Sequence, residues 1–565
     1  MPFNPISEYL IIKQFIFRLY LSKIVYVLNL AFIYKRFNNL YGWLKHMFAP
    51  SESLELKEMN SNPFINIALD TIKSGKQALM FVNSKKRAEK SAEEIAKVVK
   101  ISEAEKLLFN DIADKALKAL PNSTKQCERL SLCLKKGIAF HHSGLVSKQR
   151  SLIEENFKKG NIKIICATPT LAAGLDLPAF RVIIRDLMRF STRGLEYIPV
   201  LEYMQQIGRA GRPKYDKYGE AIVICSENEK DYIVENYIYG EPEDIYSKLA
   251  VEPILRSYVL SLISTRFAGS RDAMMDFFSR SFWAYQFKDL EKLEMIIERV
   301  VHDLKDWGFV EGSDDLFFSA DSLEGPSYKI TFLGRRVSET YVDPLTAHNI
   351  IVGLKNANEN ISVLGLLQLV SHTLEMRPLA RVGAKEQEKY EDFYAKHEEE
   401  FLEEAPSYYD FEYEEFLNSL KTAKALFAWI EEKDEEYIYE EFGILPGELK
   451  AKIDIADWLL YSAGEFANVL KFKSVINEIN KLRLRLKHGV KEELLALVRL
   501  KQIGRVRARK LYNRGFVSLK ELRKAELDAL TEIIGRNVAI ALKKQLNGEN
   551  YEEIEEPQKK LKSFS

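Results

Sequence analysis

Two arginines stand three residues apart in the segment Gln205–Arg212, which reads QQIGRAGR. The planar guanidinium of an arginine pairs with two phosphate oxygens at once and stays charged when it is partly desolvated. An arginine that reaches a γ-phosphate from another domain speeds phosphoryl transfer by about 10³–10⁵. Arg209 and Arg212 are therefore candidates for binding one polyphosphate, and a basic surface turn is the alternative.

A second polar block, Thr168–Pro178, lies upstream and reads TPTLAAGLDLP. Both blocks fall between Pro63 and Lys230, where short apolar runs alternate with amphipathic helical patterns. This alternation predicts a parallel sheet with helices on both faces. The predicted strands are Gln77–Val82, Ile138–Phe140, Ile162–Ala167, Val182–Ile184 and Ala221–Cys225.

Polar residues follow three of these predicted strands directly. They are Asn83-Ser84, His141–Gly144 and Thr168–Thr170. Binding sites in open parallel sheets lie at the carboxyl ends of the strands. We therefore expect these three loops to share one edge of the sheet and to form part of a site.

Four segments resemble the motifs of superfamily-two helicases. Gln205–Arg212 resembles their motif VI, and Thr168–Pro178 resembles their motif V. Gln77–Arg87 and His141–Leu145 are similar to the motifs that precede these two. The chain therefore resembles the second of the two RecA-like motor domains of such a helicase.

Two further segments point to one branch of this superfamily. FRVIIRD at Phe180–Asp186 and RPKYDKYGEA at Arg212–Ala221 are similar to sequences of the archaeal Ski-like DNA repair helicases. These enzymes are relatives of human helicase Q and of the helicase domain of polymerase theta. The resemblance covers about residues 63–546 of the chain.

The resemblance implies roles for individual residues. Those implied in ATP hydrolysis are Arg209 and Arg212, as arginine fingers, and Gln205. Those implied in coupling nucleotide to DNA are Gly174, Asp176 and Gly208; the family commonly has Asn where this chain has Asp176. Those implied in DNA binding are Asn83, His142, Thr168, which would hold a phosphate, and Thr170.

The segment Met188–Tyr203 (MRFSTRGLEYIPVLEY) predicts two short strands around a turn that contains Arg193. By resemblance it is the β-hairpin that separates duplex strands, with Phe190 and Tyr197 stacking on the last base pair and Arg193 contacting DNA. An ordinary hairpin without this role is the alternative.

The resemblance assigns the rest of the chain to DNA-handling domains. Residues 252–338 fit a winged-helix domain, with predicted strands Leu316–Ser319 and Tyr328–Phe332, and residues 344–484 fit a helical bundle with a ratchet helix. In that helix Trp458 would stack on a base, which contributes about 1–3 kcal/mol; a core Trp is the alternative. Lys450 and Lys452 flank Ala451, where the family often has an Arg, and are the candidates for gripping DNA there.

Leu500–Phe516 (LKQIGRVRARKLYNRGF) is typical of a helix–hairpin–helix element, within an expected domain at residues 488–546. Gly504 would let the backbone approach a DNA phosphate, and Arg505, Arg507 and Arg509 would supply charge. A basic helix pair without a ligand is the alternative. The tail, residues 547–565, weakly resembles a sliding-clamp-binding peptide, and a polar tail without a partner is the alternative.

The sequence contains no Gly-rich loop that ends in Gly-Lys-Ser/Thr, and Gln77 follows its one Gly-Lys pair. Such a loop and an acidic pair hold ATP and Mg²⁺ in a complete motor. In the resembled family they belong to a first motor domain that precedes this region. We therefore expect ATP and Mg²⁺ to be bound mainly by such a domain, on a separate polypeptide or in a longer chain.

The composition of the 565 residues is that of a globular, multidomain chain, with 46% hydrophobic and 29% charged residues. Lys+Arg and Asp+Glu both number 82, but Lys385–Lys450 has 21 acids and 7 bases, whereas Lys471–Gln545 has 20 bases and 7 acids. Such asymmetry indicates nucleic-acid contact by the basic part, or mutual neutralisation of the two segments.

The four cysteines form no C-x-x-C pair, so we expect no metal site and a reducing, cytoplasmic setting.

The first 62 residues are an atypical basic and aromatic leader. Between Met1 and Ala49 there is a single acid, Glu8, and the longest run without charge, Ile24–Tyr34, has eleven residues. A membrane-spanning helix needs about 20 apolar residues, so no span is expected. A basic amphipathic helix and a leader without a fold of its own both remain open.

These observations predict an α/β second RecA-like motor domain at residues 63–235, followed by winged-helix, all-α bundle and helix–hairpin–helix domains. The expected function is the C-terminal part of an ATP-dependent 3′-to-5′ DNA helicase that acts on forked or single-stranded DNA in repair and replication restart. Two alternatives stay open: a non-catalytic DNA-binding remnant, and part of a Ski-like RNA helicase.

Overall fold

The computed structural model describes residues 25–27, 60–174, 177–191, 194–211, 216, 218–249, 251–312, 327–357, 361–410 and 412–548. These residues fall into two compact units. The first comprises the residues up to Ile245 together with Leu445–Glu448. The second comprises Tyr246–Ile444 and the residues from Leu449 onwards.

The strands described in the first unit are β1 (Val25–Val27), β2 (Ala78–Phe81), β3 (Ile138–His141), β4 (Ile164–Ala167), β5 (Arg181–Ile184), β6 (Met188–Ser191), β7 (Gly194–Tyr197) and β8 (Glu220–Ile224). Six of them form one sheet in the order β1-β8-β5-β2-β4-β3. Strands β2, β3, β4, β5 and β8 are parallel. Every residue of β2 to β5 is buried, as expected for a sheet covered on both faces. The prediction of a parallel α/β sheet is confirmed.

The helices of the first unit are α1 (Pro63–Lys73), α2 (Lys85–Val98), α3 (Glu103–Leu117), α4 (Lys125–Leu134), α5 (Ser147–Lys158), α6 (Thr170–Gly174), α7 (Val200–Ile207) and α8 (Lys230–Ile233). Local sequence sets where several of them begin. Ser84 caps α2 by accepting from the backbone N–H of Arg87, and Ser102 with Glu105 forms a capping box on α3. The apolar faces of these helices join the core around the sheet.

Part of the N-terminal segment is a strand. Val25–Val27 (VYV) pairs antiparallel with β8, with Val25 opposite Ile224, and β-branched and aromatic residues favour this conformation. The interpretation as an amphipathic helix is therefore wrong for these three residues. The remainder of Met1–Ala49 lies outside the described residues.

The second unit is mainly helical. Its helices are α9 (Glu252–Ser264), α10 (Arg271–Ser279), α11 (Phe282–Phe287), α12 (Leu290–Asp306), α13 (Phe332–Thr340), α14 (Pro344–Asn356), α15 (Val363–Ser371), α16 (Gln387–His397), α17 (Glu412–Ile430), α18 (Glu435–Phe442), α19 (Pro446–Val469), α20 (Lys473–His488), α21 (Leu495–Val498), α22 (Arg505–Asn513), α23 (Leu519–Lys524), α24 (Leu527–Ile534) and α25 (Arg536–Asn547). Helix α19 begins in the first unit and continues into the second.

A two-stranded ribbon accompanies α9 to α13. Strand β9 (Val310–Glu311) pairs antiparallel with β10 (Lys329–Ile330), so the predicted strand Tyr328–Phe332 contains β10. Its partner is β9 and not the predicted Leu316–Ser319, which lies outside the described residues. Helices followed by a short ribbon and a further helix are typical of a winged-helix domain.

Candidate functional site

Three loops meet at one edge of the sheet in the first unit. Phe81 at the end of β2 lies opposite Ala167 of β4, and His141 at the end of β3 lies opposite the same residue. The backbone N–H of Thr168 donates to the carbonyl of His141 over 3.3 Å. The loops that carry Asn83, His142 and Thr168 are therefore neighbours, as the parallel arrangement predicted.

Asn83 holds the β6–β7 hairpin in place. Its side-chain Nδ2 donates to the carbonyl of Met188 over 2.9 Å, and its backbone N–H donates to Asp186 Oδ2 over 3.2 Å. Asp186 also pairs with Arg87. The amide group of Asn83 thus positions the hairpin, and its contact with DNA stays a prediction.

His142 does not face solvent; its relative accessibility is 0%. Its Nδ1 accepts from the backbone N–H of Gly144 over 3.1 Å, so Nε2 carries the proton toward Glu89 Oε1 at 3.2 Å. Burial raises the pKa of Glu89, but hydrogen bonds from His142 and Gln126 outweigh this and hold that pKa below its ordinary value. The proposed DNA contact of His142 is therefore corrected: its side chain fixes the loop from inside.

Thr168 and Thr170 follow β4 at the same edge of the sheet, and Thr170 is the exposed one of the two. The two hydroxyl oxygens are 3.0 Å apart, Thr168 is 9% exposed, and Thr170 is exposed at the start of α6. Gly174 is the last residue of that helix, whereas Asp176 lies outside the described residues. Thr170 is the better placed of the two hydroxyls for an external phosphate.

The segment after α7 is bonded to the loop that contains α6. The Arg209 guanidinium donates from Nε and Nη2 to the carbonyl of Ala172, with 3.1 Å from Nε to the oxygen. The backbone of Ala179 donates to Arg209 O over 2.9 Å. Gly208 caps α7, and Gln205 is exposed on its last turn; Arg212 lies outside the described residues.

The β6–β7 hairpin carries its exposed apolar residues near the turn. Phe190 and Leu195 are paired across the strands and are 82% and 50% exposed. Tyr197 instead lies at the base, where its hydroxyl donates to Glu229 Oε1 over 3.3 Å and its ring packs on Tyr232. Burial and then the Glu229 carboxylate raise the pKa of Tyr197.

The prediction that Tyr197 stacks on the last base pair beside Phe190 is therefore corrected, because Tyr197 does not lie near the turn. The sequence reasoning missed Leu195, the residue that does pair with Phe190. Strand alternation around the Gly194 turn is the signal that could have identified it. Arg193 lies outside the described residues.

In the second unit, Trp458 of α19 is half-buried, and its indole N–H donates to the carbonyl of Thr340 over 3.0 Å. One edge of the ring is thus fixed by the end of α13.

Lys450 is exposed and pairs with Asp454 at 2.7 Å. Lys452 is only 8% exposed, and its Nζ donates to the carbonyls of Pro378 and Met376 over 2.6 and 3.3 Å. The DNA-binding role predicted for Lys452 is corrected to a structural one.

Two of the three arginines near Gly504 contact the helical bundle. Arg505 donates to the carbonyl of Lys433 over 2.8 Å and lies 4.9 Å from the Trp429 ring centroid, and burial lowers its pKa. Arg509 donates to Glu432 over 2.8 Å, and this hydrogen bond is the main reason that its pKa is raised. In this conformation both guanidinium groups contact the helical bundle, and their assignment to a DNA phosphate stays a prediction.

Arg507, Gly504 and Lys510 lie in the same segment. Arg507 donates to the carbonyl of Gln502 over 3.0 Å. Gly504 caps the N-terminus of α22 and is exposed, as is Lys510. The exposed position of Gly504 is compatible with the phosphate contact expected there, which stays a prediction.

The described part of the chain has neither a metal-binding cluster nor a membrane-spanning helix. It contains no group of three or more His, Cys, Asp or Glu side chains suited to a metal ion. None of its helices combines the length and the apolar character needed to cross a membrane.

Three family models match the chain. Residues 100–214 match the helicase conserved C-terminal domain, residues 219–311 match a helix-turn-helix domain, and residues 364–489 match domain 4 of archaeal helicases. The three matches follow the order in which the sheet, the winged-helix elements and the helical bundle occur along the chain.

Whole-chain relatives carry the same name. The chain is 40% identical over 504 residues to the ATP-dependent DNA helicase Hel308 of Pyrococcus horikoshii, covering 88% of this chain and 68% of that protein. It is 39% identical over 511 residues to Hel308 of Pyrococcus abyssi, with the same coverage. For Hel308 of Methanocella arvoryzae the identity is 38%, covering 85% of this chain and 64% of the relative. With motif order, fold and whole-chain identity in agreement, this chain belongs to the Hel308 family of archaeal superfamily-two DNA helicases.

Proposed function

We propose that this chain is the C-terminal part of an ATP-dependent 3′-to-5′ DNA helicase that acts on forked or single-stranded DNA in repair and replication restart. Its P-loop would come from a first motor domain outside this sequence, on a partner polypeptide or in a longer chain. The domain division proposed is 63–235, 252–338, 344–484 and 488–546, with a leader at 1–62 and a tail at 547–565. The names of the relatives support DNA rather than RNA as the substrate.

The observation that carries this proposal is the bond between Arg209 and the carbonyl of Ala172. It joins the segment that carries Arg209 to the loop that carries Thr168 and Thr170. A shift of Arg209 toward a γ-phosphate would therefore break this bond and release the loop that is expected to contact DNA. This is the coupling that a translocase needs between its nucleotide and its track.

The residues present fit one side of an ATP-magnesium site. Arg209 and, from the sequence, Arg212 would supply guanidinium groups, whereas the described residues contain no group of three or more His, Cys, Asp or Glu side chains that could hold Mg²⁺. When bound, ATP supplies the phosphoryl group whose transfer to water drives movement. This chain would stabilise the negative charge that develops on the phosphoryl group during its transfer. Thr170 and Trp458 would bind the single DNA strand, and Phe190 would contact the end of the duplex.

The decisive experiment is DNA-stimulated ATP hydrolysis by the purified chain, with and without the first motor domain of a close relative. The proposal expects hydrolysis only on mixing, and its loss in Arg212→Ala. No hydrolysis in either case, with single-strand binding intact, would favour a non-catalytic DNA-binding protein. Robust hydrolysis by the chain alone would contradict the assignment of the P-loop to another domain.

A further inference from the structure

A cavity of about 640 Å³ lies behind the β6–β7 hairpin in the first unit. Strand alternation places Met188, Phe190, Leu195 and Tyr197 on one face of the hairpin, and all four line the cavity. The neighbouring residues on each strand, such as Glu196, belong to the opposite face. The hairpin thus has one apolar, partly aromatic face, and that face forms a cavity wall.

This apolar wall is left exposed. Phe190 and Leu195 are the most exposed of its residues. Leaving apolar surface in contact with water costs about 25 cal/mol of free energy per Å² relative to burying it. Contiguous exposed apolar surface next to a concavity marks a ligand-binding region. The two side chains therefore form a surface suited to a flat apolar group.

The facing wall is polar and held in place. It is formed by residues at the carboxyl ends of β2 and β5, among them Asn83, Ser84, Arg87 and Asp186. Asp186 accepts from the Asn83 backbone and pairs with Arg87. These contacts fix the wall before any ligand arrives, and ligand pockets are usually preformed in this way.

The start of α2 adds a preference for an anion. Its first turn holds Lys85, Lys86 and Arg87 and no acidic residue. Arg87 pairs with Asp186 and Lys85 pairs with Glu448, whereas Lys86 is exposed, and the dipole of a helix favours an anion at its N-terminus. Ser84 and Arg87 belong to both this turn and the cavity lining. One wall therefore suits a flat aromatic group, and the rim beside it suits a phosphate.

We propose that this cavity receives one unpaired nucleotide of the DNA strand that passes the hairpin. Its base would lie on Leu195 and Phe190, and its phosphate would face the turn Ser84–Arg87. The volume lies within the range of about 300–1,000 Å³ typical of pockets for small ligands. This inference rests on the proposed function and adds a site to it, with Leu195 as a base-contacting residue.

The test uses the full chain and a series of forked DNAs that carry 2-aminopurine at successive unpaired positions near the junction. We expect the fluorescence to change at one position. Leu195→Glu should abolish that change and weaken fork binding about 10-fold, because it places a carboxylate beside the base and phosphate. Glu196→Ala, an exposed change on the other face of the same strand, should alter binding less than about 2-fold. Unchanged melting temperatures of both variants would show that they fold.

Two outcomes would overturn the inference. Normal fork binding without a fluorescence response at any position, or a response that Leu195→Glu leaves intact, would remove the cavity from the DNA path while leaving the proposed function untouched. Absence of fork binding by the unmodified chain would instead contradict the proposed function itself. A response to free deoxyadenosine monophosphate that fork DNA does not compete away would assign the cavity to a free nucleotide.

Discussion

The guanidinium of Arg209 is bonded to the backbone carbonyl of Ala172, 3.1 Å from Nε to the oxygen. A side chain predicted to act at the nucleotide thus contacts the segment predicted to act at DNA. Because a carbonyl accepts this bond without a charge of its own, a γ-phosphate would compete well for the guanidinium. The bond is therefore suited to exchange during a nucleotide cycle.

Arg209→Ala should lower the ATP hydrolysis of the reconstituted two-domain motor by about 10³-fold, the scale on which arginine fingers act. Single-strand binding by the isolated chain should change little, because Thr170 and Trp458 are untouched. Hydrolysis and fluorescence-anisotropy assays on the same preparation would separate the two effects. Arg189→Ala, which removes an exposed ion pair with Glu202, is the control and should retain activity.

His142→Ala should lower the stability of the first unit by about 1–3 kcal/mol, because it removes a fully buried imidazole that lies 3.2 Å from the Glu89 carboxylate and accepts from the backbone of Gly144. Gln126 and Arg129 would remain as partners of Glu89. The measurement is the melting transition of the chain followed by calorimetry. His302→Ala is a suitable control, since His302 lies on an exposed helical face with Asp306 at 3.5 Å. Equal melting temperatures of the His142 variant and the parent would contradict the buried role.

The second unit should become less stable as the pH rises from mildly acidic to mildly alkaline. Burial alone would lower the pKa of His372, but the hydrogen bond and charge of Glu403, 2.8 Å away, outweigh burial and raise it. The folded-state pKa of His372 lies above its unfolded value of about 6.5. The stabilisation that charged His372 contributes is therefore complete below about pH 6.5, and it is lost as the pH rises through the raised folded-state pKa.

Burial lowers the pKa of His348 and of His488 and opposes this trend at acidic pH. The prediction therefore concerns the difference between the parent and His372→Gln. That difference in melting temperature should shrink between pH 6 and pH 8. A difference that stays constant over this range would show that folding does not raise the pKa of His372.

Substitution of Lys452 should affect the stability of the protein, whereas substitution of Lys450 on the same helix, α19, should affect DNA binding. Lys452→Ala should lower the melting temperature, because it removes a buried ammonium bonded to two carbonyls and leaves those carbonyls without that donor. Lys450→Ala should leave stability within about 0.5 kcal/mol and reduce the salt dependence of single-strand binding by about 0.7 in the log–log slope if the lysine contacts a phosphate. Calorimetry and salt titrations on both variants provide the comparison.

The parallel sheet and the position of its polar loops could be predicted because strand periodicity and motif order are local properties of the sequence. The burial of His142 and Lys452 could not, since it depends on Glu89 and on the carbonyls of Met376 and Pro378, which are distant in sequence. The sequence also predicted the β6–β7 hairpin. Its pairing register, which places Leu195 and not Tyr197 opposite Phe190, became known only from the structure.

The opposite charges of Lys385–Lys450 and Lys471–Gln545 illustrate the same limit. Arg509 pairs with Glu432, and Arg485 pairs with Glu431 at 2.7 Å. Part of the asymmetry is therefore mutual neutralisation, which was one of the two predicted explanations. Sequence alone gives the charges of two neighbouring segments, and tertiary packing decides which of them face solvent.

Cys225 lines the cavity behind the hairpin, whereas the other three cysteines are buried. A thiol-reactive dye should therefore attach to this one position without any cysteine being removed. Burial raises the pKa of Cys225 to about 11, so labelling will be slow at neutral pH and faster in alkaline buffer. The protein thus already contains an attachment point from which a fluorophore would report directly on what enters the cavity.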